Sequence, residues 1–556
     1  MVYLVRKKIK GRTYLYIEER AYIDGKSRRI WQKYLGPEDK MREVAVTARP
    51  GKMIYQTLEF GGSAALLHVA RRIKLVETIN RHTQKTRVQG LSVGEYLLIA
   101  IINRCVAPRS KNQFGAWFQR DYLSRVFKVG PQTLNAQTYW NHFQYFSPEV
   151  LELIERDLIR TVLEEFQLDL SCLLFDPTNF FTYLGAHEED QLAQFGHSKE
   201  GRNSLRIVNL SLVCTMNSGI PLFHRTYEGN TQDAKHFHGV LQEIFDRFEF
   251  LNREIREITL IFDKGNHSSE AFAAIAAEDL GFIASLRNST QKDLLQLPTN
   301  AFTFFNLPAN GKEIGYYRTT REIYKIPRVL YVIHDPRKKK KSVLLFERKL
   351  QARLDAIETF LQERLNIKKW REVEAVRKKL ETLIGPSPFR KIIQVQLSGS
   401  FGQLQGTIFL DEAAKAAYGQ TLGRSVIFTS REDWTPETVI QAFRNKYVVE
   451  DVFKQLKNPA FLTIRPMYHW AEECIRLHVF CCVMGFLLLS LIKRGLQEHG
   501  VEASYRQIME AFATLKLTAV QSSSTGASIL KLNRVEGLPA RMLQIFPLKR
   551  LLSHKS

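Results

Sequence analysis

The sequence predicts an α/β protein whose central layer is a mixed β-sheet, and three observations lead to this prediction. Residues 170–290 have the pattern of three strands, a helix, a strand, a second helix and a final strand. Two apolar, strand-like segments in this region each end in an aspartate, Asp176 and Asp263. After residue 290 the pattern is interrupted for well over a hundred residues. We therefore expect a core that the chain builds in two parts, with an insertion between them.

Composition favours a globular, multidomain protein with a polyanionic partner. At 556 residues the chain exceeds what one hydrophobic core usually supports, and its 44% of hydrophobic residues is typical of folded proteins. Lys and Arg number 80 against 57 Asp and Glu, which gives a formal charge of +23. Nucleic acid is the simplest partner for such a charge, because basic side chains neutralise phosphates and release counterions. A basic surface that is merely solvated is the alternative.

Several patterns indicate a reducing, cytoplasmic setting. The six cysteines form no CxxC pair, so neither a disulfide framework nor a structural zinc site is indicated. The N-terminus has no apolar signal core. The most apolar segment, Val479–Ile492, is too short to cross a bilayer and is typical of a buried helix.

The first part of the chain changes from strand to helix patterns. Residues 1–45 form an N-terminal β-rich segment, in which Asp24-Gly25 is a predicted turn between strands Tyr14–Tyr22 and Ser27–Tyr34. Residues 46–165 are predicted to be helical.

Two helices are predicted in the 46–165 region, Ser92–Cys105 with Ser92 as its N-cap, and Pro148–Phe166. Between them lie the basic and aromatic residues Arg109, Lys111, Trp117, Arg120 and Trp140. This region is consistent with either a DNA-binding module or a helical spacer.

The first part of the core, residues 166–290, has the element order of a ribonuclease-H-like fold. The predicted strands and helices are Cys172–Asp176, Arg206–Met216, Pro221–Tyr227, the helix Ala234–Phe248, Glu257–Asp263, the helix Ser268–Asp279 and Phe282–Leu286. In that arrangement the first and fourth strands are neighbours. Asp176 and Asp263 are therefore expected to meet across the sheet.

Residues 291–424 are predicted to be an inserted β-rich domain that contains a helical hairpin broken near Asn366. Its charged helices are consistent with solvated spacers or with DNA contacts. Residues 425–495 are predicted to complete the core, and residues 496–556 to form a C-terminal helical region. The expected fold is thus a ribonuclease-H-like mixed-sheet core with a β-rich insertion, an N-terminal β segment and helical flanking regions.

A third acid, Glu450, is predicted to lie on the inner face of one long helix that begins at Thr435-Pro436. On a helical wheel Glu450 falls within about 20° of Phe443 and Lys457. A carboxylate that shares a face with Phe443 is expected to be partly desolvated and to need a cation. An ordinary surface pair of Glu450 with Lys457 or Lys454 is the alternative.

Each acid alone has a structural explanation, since Asp263 begins a turn-like Asp-Lys-Gly and Asp176 precedes a proline. The combination of Asp176, Asp263 and Glu450 at the positions that a ribonuclease-H-like core requires favours a metal site. Oxygen ligands favour magnesium or manganese over zinc. The chain has neither a GxxxxGK[ST] loop nor a GxSxG motif, so nucleotide hydrolysis and serine-hydrolase chemistry are not indicated.

The chain resembles the DDE transposases of bacterial insertion sequences, in the subgroup with a β-rich insertion before the catalytic glutamate. The resemblance spans roughly residues 170–490. The blocks that carry it are Phe175–Phe180, Phe195–Arg202, Tyr227–Asp233, Phe262–Gly265, Phe428–Ser430 with the helix through Lys457, Arg465-Pro466 and His478.

That subgroup has a helix signature of Tyr, two residues, Arg, three residues, Glu, six residues and Lys. Glu450 and Lys457 are in register with it, whereas Phe443 and Lys446 replace the tyrosine and the arginine. Lys446 keeps the positive charge but loses the bidentate contact that arginine makes with phosphate.

The resemblance implies catalytic, metal-binding roles for Asp176, Asp263 and Glu450, with two Mg²⁺ ions for which Mn²⁺ can substitute. The DNA-binding candidates are Lys457, Lys446, Lys199 and Arg202. Implied partners are double-stranded DNA (terminal inverted repeats and target), with a homodimer assembled on DNA in the bacterial cytoplasm, at the nucleoid, and no membrane. The alternatives are a metal-dependent nuclease of the same fold, and a DNA-binding protein derived from a transposase.

Overall fold

The computed structural model describes residues 2–23, 26–47, 53–84, 90–183, 192–251, 253–308, 311–465, 467, 471–522 and 528–553. Two compact units divide the chain. Residues 66–115 and 129–505 form the larger one, and residues 1–65, 116–128 and 506–556 form the smaller one. The predicted turn at Asp24-Gly25 and the Pro466 of one motif block lie outside the described residues.

The secondary structure is numbered along the chain. The strands are β1 (Val2–Ile9), β2 (Arg12–Ile23), β3 (Lys26–Pro37), β4 (Met53–Glu59), β5 (Cys172–Phe181), β6 (Ile207–Thr215), β7 (Pro221–Glu228), β8 (Thr259–Phe262), β9 (Gly281–Ser285), β10 (Thr303–Asn306), β11 (Glu313–Ile323), β12 (Ile326–His334), β13 (Ile393–Ser398), β14 (Gln405–Leu410), β15 (Arg424–Thr429), β16 (Lys516–Ser522) and β17 (Ser528–Leu532). The α-helices are α1 (Glu38–Thr47), α2 (Gly61–Arg72), α3 (Leu75–His82), α4 (Val93–Val106), α5 (Lys111–Gln119), α6 (Leu123–Phe127), α7 (Ala136–Phe143), α8 (Pro148–Phe166), α9 (Asp233–Phe250), α10 (Ser269–Ala277), α11 (Lys292–Leu295), α12 (Pro336–Glu363), α13 (Val373–Ile384), α14 (Phe389–Ile392), α15 (Glu412–Thr421), α16 (Pro436–Arg444), α17 (Tyr447–Leu456), α18 (Glu472–Glu498), α19 (Tyr505–Thr514), α20 (Gly537–Ile545) and α21 (Arg550–Ser553).

The larger unit is built on a mixed sheet in which nine strands of the described chain have the order β10-β11-β12-β15-β9-β8-β5-β6-β7. Strands β5, β6 and β7 are consecutive and antiparallel, and β8 and β9 continue the sheet in parallel on the other side of β5. Every residue of β6, β8 and β9 is buried, as expected for strands covered on both faces. This confirms the predicted ribonuclease-H-like core and the neighbouring positions of its first and fourth strands.

The insertion between β9 and β15 is β-rich, and three of its strands extend the core sheet. Strand β12 pairs antiparallel with β15, which in turn pairs with β9. Only β13 and β14 form a separate two-stranded sheet within the insertion's described residues. The core sheet is therefore continuous with three strands of the insertion.

The predicted helical hairpin in the insertion is formed by α12 and α13. Its core includes Leu350 and Ile357 on α12, with Val376 and Leu380 on α13. Between the helices Asn366 adopts a left-handed conformation (φ 64°), and its side chain bonds both backbone groups of Leu404. These hydrogen bonds explain the break that the sequence indicates at this asparagine.

Helices cover the sheet of the larger unit. Helix α4 begins at a capping box between Ser92 and Glu95, which confirms Ser92 as its N-cap. Among the described residues, α18 is long and apolar enough to cross a membrane, but 94% of its most apolar window is buried inside the protein. The predicted apolar segment is thus the middle of a longer core helix.

A buried ion cluster joins α8, β7 and α9. The Glu155 carboxylate accepts hydrogen bonds from His224 Nδ1 at 2.6 Å and from Arg247 at 2.9 Å. Burial raises the pKa of Glu155, but His224 and Arg247 outweigh it and bring the pKa to about 2. Glu155 is therefore a carboxylate that stays charged in the interior because cations surround it.

The smaller unit contains two three-stranded sheets, with orders β1-β2-β3 and β17-β16-β4. Strand β4 pairs with β16, from Met53↔Ser522 to Glu59↔Lys516. The regions 46–165 and 496–556, expected to be helical, therefore each contribute strands as well. A pairing between segments so distant in sequence has no local signal.

Candidate active site

Strands β5 and β8 place Asp176 and Asp263 side by side. Their parallel register runs from Cys172↔Thr259 to Leu174↔Ile261. Continued by two residues, this register sets Asp176 opposite Asp263. Neighbouring strands are about 4.8 Å apart, and side chains at matching positions point to the same face. The structure thus brings these two predicted carboxylates to one place on the sheet.

Asp263 directly follows β8 and is held by three donors. The Ser285 hydroxyl and the Lys264 N–H both donate to its Oδ1, the latter over 2.9 Å, and Lys446 Nζ donates to its Oδ2 over 2.8 Å. Burial raises the pKa of Asp263, but the Lys446 charge and these hydrogen bonds outweigh it and lower the pKa to about 2. Asp263 is therefore held in place by hydrogen bonds and is ionised at neutral pH.

Lys446 is the cation at the centre of the acids. Its Nζ lies 2.8 Å from Asp263 Oδ2 and 4.0 Å from Glu450 Oε1, and its side chain is only 14% exposed. Burial lowers the pKa of Lys446, but Asp176, Asp263 and Glu450 together raise it above its ordinary value. Lys446 was predicted to contact DNA, and in this structure its ammonium group is engaged by the carboxylates.

The pKa of Asp176 is shifted in the opposite direction to that of Asp263. Burial raises its pKa to about 6, Lys446 and Lys199 counteract part of that increase, and Asp263 and Glu450 add to it. The two aspartates therefore titrate far apart although they are neighbours. A further cation near Asp176 would stabilise its charged form.

Glu450 differs from its prediction. The expected single helix is two, because α16 ends at Arg444 and α17 begins at Tyr447. The helical wheel that joined Glu450 to Phe443 across this break was wrong. Glu450 is exposed (63% of its side chain) and not desolvated.

Helix α17 nevertheless sets Glu450 near the aspartates. Its buried residues are Val449, Val452, Phe453 and Leu456, and the helix packs on β5. Glu450 lies in the first turn of α17, within 4.0 Å of Lys446. All three predicted acids thus act on the same lysine.

The donor set suits a hard divalent cation, although within the described ranges no three His, Cys, Asp or Glu side chains lie close enough together to hold one. Two ionisable carboxylates share one face, and a positive group, Lys446, already lies among them. Carboxylate oxygens of this kind are ligands for Mg²⁺ or Mn²⁺. The third acid, Glu450, is exposed and lies 4.0 Å from Lys446.

Two of the predicted DNA contacts, Lys457 and Lys199, hold the second half of β5. Lys457 Nζ donates to Thr178 Oγ1 over 2.9 Å and to the Asn179 carbonyl over 2.6 Å. Lys199 Nζ donates to the Pro177 carbonyl over 2.5 Å. These contacts follow directly after Asp176 in the chain, so both lysines help to position it.

Arg202 is exposed, and its guanidinium lies 4.6 Å from the centre of the Phe181 ring. Sequence reasoning missed Glu200, which pairs with both Lys457 and Arg465. It also missed Ser285, for which no motif gives a signal.

Two motif blocks meet through their glycines. A Cβ on Gly196 would lie 2.2 Å from the Gly229 carbonyl, and one on Gly229 would lie 2.1 Å from the Ile207 carbonyl. Only glycine permits these backbones to approach so closely. The blocks around residues 196 and 229 are therefore one packed loop assembly.

Residues 169–483, more than half of the chain, match the family model of the transposase DDE domain. The chain belongs to the DDE transposase family. Its members carry out metal-dependent DNA cleavage and strand transfer, so this transposase is an enzyme that acts on DNA with a divalent metal. No curated protein sequence matches the chain.

A cryo-EM structure of a piggyBac transposase synaptic complex with hairpin DNA is similar to this chain at 9% sequence identity. The similarity covers 81% of this chain and 79% of that one, with a TM-score of 0.36.

Proposed function

We propose that this DDE transposase mobilises a bacterial insertion sequence by cutting its ends and joining them to target DNA, with Asp176, Asp263 and Glu450 as the catalytic carboxylates. The observation that carries the proposal is the register of β5 and β8, which sets two buried-strand aspartates level on one face. The packing of α17 on β5 adds Glu450 to the same neighbourhood.

In this proposal Asp176, Asp263 and Glu450 would hold two Mg²⁺ ions, and the chemistry these ions would supply is activation of an oxygen nucleophile and stabilisation of a leaving oxygen. Asp263 enters the reaction already ionised because Ser285, Lys264 and Lys446 hold its charge. Burial raises the pKa of Asp176 to about 6, so Asp176 is mostly ionised at neutral pH and added positive charge would keep it ionised. Lys446 then releases the carboxylates and becomes available to a DNA phosphate.

Lys457, Lys199 and Arg202 support the DNA side of the proposal. The two lysines fix the backbone after Asp176, and the exposed Arg202 offers its charge to a phosphate. We include a homodimer on paired DNA ends in the proposal. Light scattering of the protein with and without DNA ends tests that assembly.

The decisive experiment incubates the protein with labelled DNA that carries the inverted repeats flanking its gene, in Mg²⁺. Cleavage with joining to target DNA supports a transposase, cleavage alone supports a nuclease, and a mobility shift without either supports a DNA-binding protein. Asp176→Asn, Asp263→Asn and Glu450→Gln are each expected to abolish cleavage and to retain DNA binding.

Asp451→Asn is the matched control, since Asp451 neighbours Glu450 on α17 and contacts Gln455 in its own helix. It is expected to cleave like the wild type. Undiminished cleavage by any of the three test variants removes that residue from the site.

A further inference from the structure

A second site lies in the larger unit, away from the residues assigned to catalysis. A cavity of about 350 Å³ opens between α4, the start of α5, α7 and α18. Three basic residues line it, Arg104, Arg109 and Lys111, together with the rings of Tyr139 and Trp140. Arg109, Lys111 and Trp140 belong to the basic and aromatic stretch that the sequence singles out, and folding collects them in one wall.

The cations of this cavity have no acidic counterpart. None of its lining residues is Asp or Glu, and no ion pair joins Arg104, Arg109 or Lys111 to an acid in the part of the chain that the structure describes. Arg104 instead donates to the carbonyl oxygen of Arg109. Burial, with a smaller effect of Arg104, lowers the pKa of Lys111 to about 8. An anion entering the cavity would stabilise all three positive charges.

The aromatic wall provides flat surfaces next to these charges. Lys111 Nζ lies 3.3 Å from the centre of a Trp140 ring and 4.9 Å from that of Tyr139. Trp140 is 42% exposed. Bases stack on such rings regardless of sequence, and this contributes about 1–3 kcal/mol per base.

The size and polarity of the cavity limit the kind of ligand that it can hold. A cavity of about 350 Å³ lies within the range of small-molecule pockets and is too small for a double helix. Ser110 and Asn112 add hydrogen-bonding groups to the lining, whereas the buried Asn103 side chain already bonds Ala107 and Arg109. The cavity therefore offers positive charge to a phosphate, aromatic rings to a base and hydrogen-bonding groups to the edge of a base. One nucleotide carries all of these groups.

We propose that this cavity binds an unpaired nucleotide, with its phosphate on Arg104, Arg109 and Lys111 and its base against Tyr139 and Trp140. The inference rests on the proposed function, which it deepens by giving the protein a place for a strand end or an extruded nucleotide. The same chemistry describes a free nucleotide, and the experiment separates the two sources.

The experiment measures fluorescence anisotropy of two labelled duplexes without metal, one blunt and one ending in three unpaired nucleotides. Wild type is expected to bind the unpaired end about tenfold more tightly, which corresponds to about 1.4 kcal/mol of stacking. Arg109→Ala and Trp140→Leu are expected to lose this preference and to bind the blunt duplex like the wild type.

Arg348→Ala is the matched control, because it removes one exposed positive charge from α12 and leaves the cavity intact. Trp140→Phe keeps a ring and is expected to keep most of the preference. Equal binding of both duplexes by the wild type, or a preference that survives Arg109→Ala and Trp140→Leu, overturns the inference.

Competition with free dAMP identifies the source of the nucleotide. Displacement of the unpaired end by micromolar dAMP assigns the cavity to free nucleotides, and no displacement at millimolar dAMP assigns it to a strand. Since binding is measured without metal, the outcomes stay separate from cleavage. A protein that cleaves DNA but shows no preference overturns only this inference, and one with the preference but no cleavage overturns only the proposed function.

Discussion

Lys446→Ala tests whether a lysine neutralises the carboxylate site when metal is absent. The substitution removes the cation that lies 2.8 Å from Asp263 and most strongly offsets the pKa shift of Asp176. The pKa of Asp263 is lowered from 3.8 to about 2, which corresponds to about 2 kcal/mol of folded-state stabilisation. The Asp263 side chain is 38% exposed, so solvent screening reduces the expected loss to about 1 kcal/mol.

The assay is thermal unfolding followed by fluorescence, with EDTA and then with increasing Mg²⁺. In EDTA, Lys446→Ala is expected to unfold a few degrees below the wild type. Mg²⁺ is expected to stabilise the variant more than the wild type, because in the variant Mg²⁺ does not compete with an ammonium group for the carboxylates.

Lys454→Ala provides the control, since Lys454 is an exposed lysine on the same helix as Glu450. It is expected to match the wild type under both conditions. If Lys446→Ala unfolds with the wild type in EDTA and gains no extra stability from Mg²⁺, the lysine does not neutralise the site and the reasoning fails.

Three further predictions follow from charges around the core sheet. Because burial raises the pKa of Asp176 to about 6, Mg²⁺ affinity measured by calorimetry should fall as the pH drops from 7 to 5. A Mg²⁺ affinity that does not change with pH would contradict this pKa shift. Without metal the pH dependence is reversed: because the folded pKa of Asp176 lies above 3.8, its contribution to the folding free energy is favourable at low pH and is lost as the pH rises through 6. Glu155→Gln removes the buried carboxylate that His224 and Arg247 share and leaves Arg247 with Glu243 alone, so it should cost about 3 kcal/mol in urea unfolding. A loss below about 1 kcal/mol would show that the cluster is not a buried ion network. Ser285→Ala removes a donor to Asp263 and should lower the cleavage rate about 10–100-fold with unchanged DNA binding, whereas an unchanged rate would make Ser285 dispensable.

The core could be predicted because its signals are local. Strands β6 to β9 are largely apolar runs, whereas β5 begins as one and continues beyond Asp176 to Phe181. The order of these elements admits few topologies. Asp176 and Asp263 were predicted together because both stand at the ends of such runs. The helix Pro148–Phe166 was predicted correctly for a similar reason, because a serine cap followed by proline is a local signal for a helix start.

What could not be predicted depends on contacts between distant segments. The break before Tyr447 contains neither proline nor glycine, so no local residue signals it. Two such contacts are the pairing of β4 with β16 and the ion pair of Lys446 with Asp263. Each joins residues that lie far apart in the sequence. Periodicity shows which face of an element is apolar and does not show which partner covers it.

The structure separates the carboxylate site into a fixed part and an adjustable part. Asp176 and Asp263 are set by the register of two buried strands, whose positions the packed sheet determines. Glu450 is set by a short helix after a break and is exposed, so its side chain can change rotamer without disturbing the core. Since Lys446 lies at that break, the residue that neutralises the site and the helix that completes it are adjacent in the chain. If a metal ion takes the place of Lys446 between the aspartates, Glu450 is therefore expected to be able to turn toward that ion without disturbing the core.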